Sequence, residues 1–166
     1  MSQQNKLTLA EQPGLFERAN AFANAAIARL QSLLGPETEI SHVGATAVPG
    51  CITKGDVDLV VHVGSHEYLS ARAILDQHFE KNVGSPRDDC FASFADDTGS
   101  FPLGIQLVVR GSEYDNFRSF SDQLRQSDEL RAAYNALKRS FVGAEMDDYR
   151  KAKADFIEET LARTAR

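Results

Sequence analysis

Apolar and polar residues follow two rhythms along this chain, and the points where one gives way to the other divide it into elements. Over residues 8–34, Leu15, Phe22, Ile27, Leu30 and Leu34 fall largely on one side of a helix, with alanines between them. Pro13 suits the first turn of its main part, and Gly35-Pro36 ends it. Residues 39–43 are short, partly β-branched and followed by Gly44, which predicts a first strand. A loop of small residues over 44–55 leads into a two-residue alternation over 56–63, the second strand. The helical rhythm returns over 66–79, where Ser65 is placed to cap and Leu69, Ala73, Ile74 and Phe79 form the apolar side. Strands over 90–94 and 103–110 flank the turn residues Asp96-Asp97-Thr98-Gly99-Ser100 and read as an antiparallel hairpin. Three helices complete the chain, over 114–125, 128–141 and 145–164, the last two separated by Gly143. Their aromatic and leucine stripes (Phe117, Phe120, Leu124; Tyr134, Leu137, Phe141; Tyr149, Phe156, Leu161) read as core.

This order predicts an α/β (α+β) fold, a mixed sheet of about four strands covered by helices, in a single domain over 1–166. At 166 residues the chain is long enough to bury roughly two-thirds of its unfolded surface. A hydrophobic content of 42% is ordinary for a globular protein. The net charge of −6 argues against extended nucleic-acid binding, which needs a basic footprint, but leaves room for one positive pocket. The polar start of the chain lacks the apolar core of a signal peptide, and no apolar run approaches the roughly 20 residues that span a bilayer. No membrane partner and a cytoplasmic location are therefore expected.

The chemistry concentrates between residues 42 and 58. Asp56 and Asp58 stand two apart, so on a strand they share a face and can converge on one cation while Val57 and Leu59 turn to the core. Gly44, Ala45 and Thr46 upstream let the backbone approach a ligand, and backbone N–H groups suit phosphate oxygens. Hard Mg²⁺ (or Mn²⁺) prefers carboxylate oxygen, which makes Asp56 and Asp58 the candidate metal ligands and catalytic carboxylates. His42, Gly44, Ala45, Thr46 and Lys54 are the candidate ligand-binding residues, Lys54 as a point charge on phosphate. Cys51 lies in the same loop with His42 as the nearest base in sequence, but a reduced structural thiol is the preferred reading. Asp96 and Asp97 are explained by their turn. His62 falls on the Asp58 face further along the strand and reads as a structural hydrogen-bonder.

The run His42-Val43-Gly44-Ala45-Thr46-Ala47-Val48-Pro49-Gly50, followed by Lys54 and Asp58, resembles the signature of the GrpB-like family, a branch of the nucleotidyltransferase superfamily. The resemblance continues through Phe120 to Arg125, Tyr134, Leu137-Lys138, Tyr149, Lys153, Phe156 and Ile157. It implies a polymerase-beta-like nucleotidyltransferase fold whose loop cradles phosphate, with Arg125, Lys138 and Lys153 at positions able to face the cleft. The chain departs from the family pattern at Ala45 for serine, Gly55 for proline, and Asp56 for an apolar residue. It also reads Gly104-Ile105-Gln106 where the family often has His-Leu-His. Asp56 restores the paired aspartates of the wider superfamily. Gln106 stands on a strand where active members generally place a third carboxylate, and it is no anionic ligand.

Two functions follow as expectations. The first is binding of a nucleoside triphosphate with Mg²⁺ and transfer of a nucleotidyl group to an unknown acceptor, with Glu113 or Asp122 as distant candidates for the missing carboxylate. The alternative is a non-catalytic nucleotide- or metabolite-binding module on the same fold.

Overall fold

The computed structural model describes residues 6–10 and 12–165; Glu11, residues 1–5 and Arg166, which the expected first helix, leaderless start and single domain include, lie outside the described residues. Among the described residues the fold is mixed α and β: a five-stranded sheet and five α-helices, with one 3-10 turn over Ala45–Ala47. In chain order these are α1 (Leu15–Leu34), β1 (Glu39–Val43), β2 (Val57–Val63), α2 (Tyr68–His78) and β3 (Glu80–Lys81). There follow β4 (Phe91–Asp96), β5 (Leu103–Val109), α3 (Phe117–Gln126), α4 (Asp128–Ser140) and α5 (Met146–Thr164). The strand order is β1-β2-β5-β4-β3, with β2 and β5 parallel and the other pairs antiparallel. β4 and β5 form the expected hairpin, pairing Phe91 with Val108 and Asp96 with Leu103. No helix among the described residues is long and apolar enough to cross a membrane.

Three details differ from the sequence expectation. The sheet has a fifth strand, β3, two exposed residues that carry no apolar alternation to announce it. The first helix begins at Leu15 instead of residue 8, because the preceding segment is bonded to distant backbone: Leu7 N–H donates to Ala144 C=O at 3.0 Å and Ala10 N–H to Thr53 C=O at 2.9 Å. The second begins at Tyr68 without a Ser65 cap, and it buries Tyr68, Ala71 and Leu75 while Leu69 is left 62% exposed.

One face of the sheet is dry. Val57, Leu59, Val61 and Val63 of β2 and Leu103, Ile105, Leu107 and Val109 of β5 join one apolar cluster under α1 and α2. α1 reaches this sheet through alanines (Ala19, Ala23, Ala26) and Leu30, which lets its backbone come close. The opposite face meets α3, α4 and α5 through smaller, separate clusters and leaves cavities between them. Asp58, His62 and Gln106 point to that side.

Candidate functional site

β2 begins at Val57, so Asp56 stands just before the strand and Asp58 is its second residue. Both carboxylates nevertheless line one small cavity of about 30 Å³, together with Ala45, Lys54, Lys138 and Lys153. A larger cavity of about 170 Å³ adjoins it. Asp58, Tyr134 and Lys153 border both, and Gly44 and Gln106 border the larger one.

Two glycines make room for Asp58. Gly44, at φ +79°, would carry a Cβ only 2.9 Å from Asp58 Oδ2. Gly104, the register partner of Asp58 on β5, would place a Cβ 2.7 Å from Oδ1. Any side chain at either position would displace the carboxylate, so the glycines form its cradle. Burial pushes the Asp58 carboxyl above its usual range; Lys153 pulls it back, Asp56 opposes that, and Lys54 and Lys138 assist it. Asp56 is paired with Lys54 Nζ at 2.6 Å. Lys153 makes no ion pair among the described residues and faces both cavities.

The loop from Gly44 to Asp56 is anchored by groups from far along the chain. Gly44 N–H donates to Ser121 Oγ at 3.0 Å, and Arg125 donates to Ala47 C=O at 3.1 Å. Asn135 clamps the next turn from both ends, accepting from Ile52 N–H at 2.8 Å and donating to Gly50 C=O at 2.9 Å. Lys138 Nζ donates to Ile52 C=O and lies 4.0 Å over the Tyr134 ring. Burial, with Lys153 adding repulsion, brings the Lys138 amine down to about 7. Burial also pushes the phenols of Tyr134 and Tyr149 up, so both stay neutral.

His42 and Thr46 line neither cavity. The register pairs His42 with Leu59, on the face opposite Asp58. Its Nε2 lies 2.9 Å from Thr46 Oγ1, and that hydroxyl donates to Asp56 C=O at 2.9 Å, so Nε2 carries the hydrogen. Burial and the nearby Arg125 charge hold the imidazole down at about 4, neutral at physiological pH. This chain of bonds holds the loop, and the Asp56 backbone within it, from behind. Gly44, Ala45 and Lys54 do face the cavities.

The remaining polar candidates fall elsewhere. Cys51 packs beside the Val48, Phe120 and Tyr134 cluster and burial pushes its thiol up, the opposite of what an activated nucleophile needs. Asp96 accepts from Thr98 N–H at 3.0 Å and from its hydroxyl, a turn as expected. His62 Nε2 is bonded to Asp115 at 2.8 Å, a structural role. Asp122 is paired with Arg125, and neither it nor Glu113 lines the two cavities. Among the described residues, no group of three or more His, Cys, Asp or Glu is arranged to hold a metal. Asp56 and Asp58 are thus the anionic donors of the site. As hard oxygens beside open space they fit Mg²⁺ or Mn²⁺ when phosphate oxygens and waters complete the shell. Asp58 opens onto both cavities and makes no ion pair among the described residues, although three lysines stand near it.

Comparison with known proteins agrees with this architecture. The sequence profile of the GrpB protein family matches residues 15–163. A UPF0157 protein of Vibrio cholerae is 33% identical over 127 residues, covering 76% of this chain and 67% of that one. A UPF0157 protein of Streptomyces coelicolor is 30% identical over 137 residues, covering 78% and 70%. The crystal structure of the conserved protein GrpB from Enterococcus faecalis aligns at a TM-score of 0.65 and 18% identity, over 96% of this chain and 99% of that one. Cid1 poly(U) polymerase, crystallised with MgATP, aligns at a TM-score of 0.53 and 16% identity, over 78% of this chain and 42% of the polymerase. These two likenesses are of fold, and the fold is the one that nucleotidyltransferases use. On the extent of the profile match and the identity to its relatives, this chain belongs to the GrpB family.

Proposed function

We propose that the chain binds a nucleoside triphosphate together with Mg²⁺ in the cleft where the two cavities adjoin, beside Asp56, Asp58 and the lysines. The observation that carries this reading is the shared cavity itself: two carboxylates and three lysines (Lys54, Lys138, Lys153) line one small space. Carboxylates alone would repel phosphate, and lysines alone would not hold a divalent ion. Together they suit a metal–phosphate pair. Asp56 and Asp58 would hold the metal, which when bound gathers phosphate oxygens and spreads the charge that develops on them. Lys153 and Lys54 would neutralise the remaining phosphate charge, Lys54 by exchanging Asp56 for the ligand. Ala45 brings backbone close to the same space, and Gly44 borders the larger cavity beside it. The free thiols Cys51 and Cys90 suit a reducing cytoplasm.

Nucleotidyl transfer would add a step: an acceptor hydroxyl attacks the α-phosphorus, pyrophosphate leaves, and a base takes the hydroxyl proton. Gln106, on the Asp58 face of β5, supplies neither a base nor a third anionic ligand. That observation favours the second reading, a nucleotide-binding module without turnover. Pyrophosphate release over a panel of triphosphates and hydroxyl acceptors separates the two.

Calorimetric titration with nucleoside triphosphates, with and without Mg²⁺, tests the common core of both readings. Binding is expected only with the divalent ion, and Asp58→Asn is expected to weaken it at least about tenfold, about 1.4 kcal/mol. Equal affinity in EDTA, unchanged by Asp58→Asn, would refute the metal assignment.

A further inference from the structure

The cavity that Asp56 and Asp58 share is smaller than what the cleft is proposed to receive. At about 30 Å³ it has room for one or two waters, and a metal carrying a phosphate chain is larger than that. One of its walls has to move, and the walls differ in how firmly they are tied. β2 lies inside the sheet, between β1 and β5. The loop that carries Ala45, Thr53 and Lys54 is pinned by Ser121, Arg125, Asn135 and Lys138. α4 and α5, which bring Tyr134, Lys138, Tyr149 and Lys153, are joined by aromatic contacts. Tyr134 stacks on Phe156 with ring centroids 5.4 Å apart, and Phe120 meets Tyr134 edge-on at 5.4 Å.

The remaining wall is the segment ahead of α1. Residues 6–10 contain no helix and only an isolated bridge, from Lys6 to Glu145, yet Leu7 and Leu9 border the cavity. Among the described residues three backbone hydrogen bonds tie this segment down. Leu7 N–H donates to Ala144 C=O at 3.0 Å, Gly143 N–H to Leu7 C=O at 3.0 Å, and Ala10 N–H to Thr53 C=O at 2.9 Å. Leu7 is its one buried side chain, packed with Met146 and Tyr149; Thr8 is exposed, and Leu9 and Ala10 are half-buried. The two ends are fastened to different parts of the site. Leu7 holds the turn that leads into α5, the helix of Lys153, and Ala10 holds Thr53, the neighbour of Lys54. A wall held by so little opens locally at less cost than the sheet or the helices around it. We propose that residues 6–10 form a strap that closes the metal–phosphate cavity in the free protein and is displaced when the metal and phosphates of a nucleotide enter. The proposal rests on the phosphate reading given above and adds its regulation. Only the strap-open fraction of the chain is competent to bind, so loosening the strap raises affinity by enlarging that fraction.

The test uses the full chain and two variants that loosen the strap at opposite ends. Ala10→Pro removes the N–H that Thr53 C=O accepts, and Leu7→Ser takes away the buried anchor. In calorimetric titration each is expected to bind Mg²⁺-ATP at least about threefold more tightly than the wild type. In hydrogen exchange of the wild type, Mg²⁺-ATP is expected to speed the Leu7 and Ala10 amides at least about tenfold and to leave the β2 amides of Leu59 and Val61 unchanged. Wild-type protection of those β2 amides also shows that a variant folds; if Leu7→Ser does not, Ala10→Pro decides alone. Equal or weaker affinity in a folded variant, or Leu7 and Ala10 amides that Mg²⁺-ATP leaves unchanged or protects, overturns the proposal. If Mg²⁺-ATP binds neither the wild type nor the variants, the phosphate reading fails and the strap is judged without nucleotide. The readout is then acetic anhydride labelling of Lys138, a buried amine on the same cavity. Labelling at least about fivefold faster in the folded variants upholds the strap as the closure of the cavity; equal rates overturn it.

Discussion

On one side of the sheet Leu59, Val61, Ile105, Leu107 and Phe94 are sealed beneath α1 and α2 in a single apolar cluster. On the other side the same strands present Asp58, His62, Gln106 and Ser93 toward α3, α4 and α5, where the apolar contacts break into small clusters around two cavities. Strand alternation creates the difference, since residues one apart face opposite ways. It lets Asp58 sit between Val57 and Leu59, both fully buried, without disturbing the core behind it. The first side supplies stability, each fully buried Leu or Ile contributing about 1.5–3 kcal/mol through removal of apolar surface from water. The second gathers carboxylates and lysines around open space, an arrangement that contributes little to the core and makes sense as a binding site.

Substitutions on the two sides should therefore behave differently. The largest effect is expected on the dry side, where Ile105→Ala should lower unfolding free energy by about 2–5 kcal/mol in urea titration. Metal-dependent ligand affinity of the folded fraction should stay close to wild type. Loss of affinity without loss of stability would mean that the two sides are not separable.

A smaller effect, opposite in sign, is expected at Lys138 on the wet side, buried and brought down to about 7. Its unfolded amine titrates near 10.5, so between about pH 7 and pH 10.5 the unfolded chain binds the extra proton. The cost of burying this amine is fully present below about pH 7 and fades as pH rises through that window. Lys138→Met should therefore be more stable relative to wild type at pH 7 than at pH 10, by on the order of 2 kcal/mol, as read from denaturant unfolding at the two pH values. A difference independent of pH would show that the amine is solvated in the folded protein.

The two sides also differed in how readily the sequence disclosed them. The dry side was legible because its signal is local: the alternation of β2, the β4–β5 hairpin and its Asp96 turn are all written within a few residues. The loop over 44–55 and its link to Asp58 were legible for the same reason, through short spacing and small residues. What holds that loop was not. Ser121 and Asn135 meet it across 77 and 83 positions of sequence, each in isolation an ordinary polar residue on an amphipathic helix, and Lys138, which the family resemblance placed near the cleft, donates to Ile52 C=O 86 positions away. Asn116 reads locally as a helix cap, and only the structure shows its side chain making no cap bond. Gly104 reads as a neutral strand residue until the parallel pairing of β2 and β5 sets it against Asp58. His42 and Thr46 illustrate the reverse case. They sit within the motif, yet register turns His42 away from Asp58 and spends the Thr46 hydroxyl on the Asp56 backbone.

The central claim is that a divalent ion and phosphate meet at Asp56 and Asp58. Paramagnetic broadening tests it most directly. Substoichiometric Mn²⁺ with a nucleoside triphosphate, followed by amide NMR, should broaden Gly44, Ala45, Asp58 and Gly104 first and leave the α2 amides of Ala71 and Leu75 sharp. Asp58→Asn should abolish the effect. Broadening centred on the exposed acidic residues of α5, or a pattern unchanged in Asp58→Asn, would contradict it.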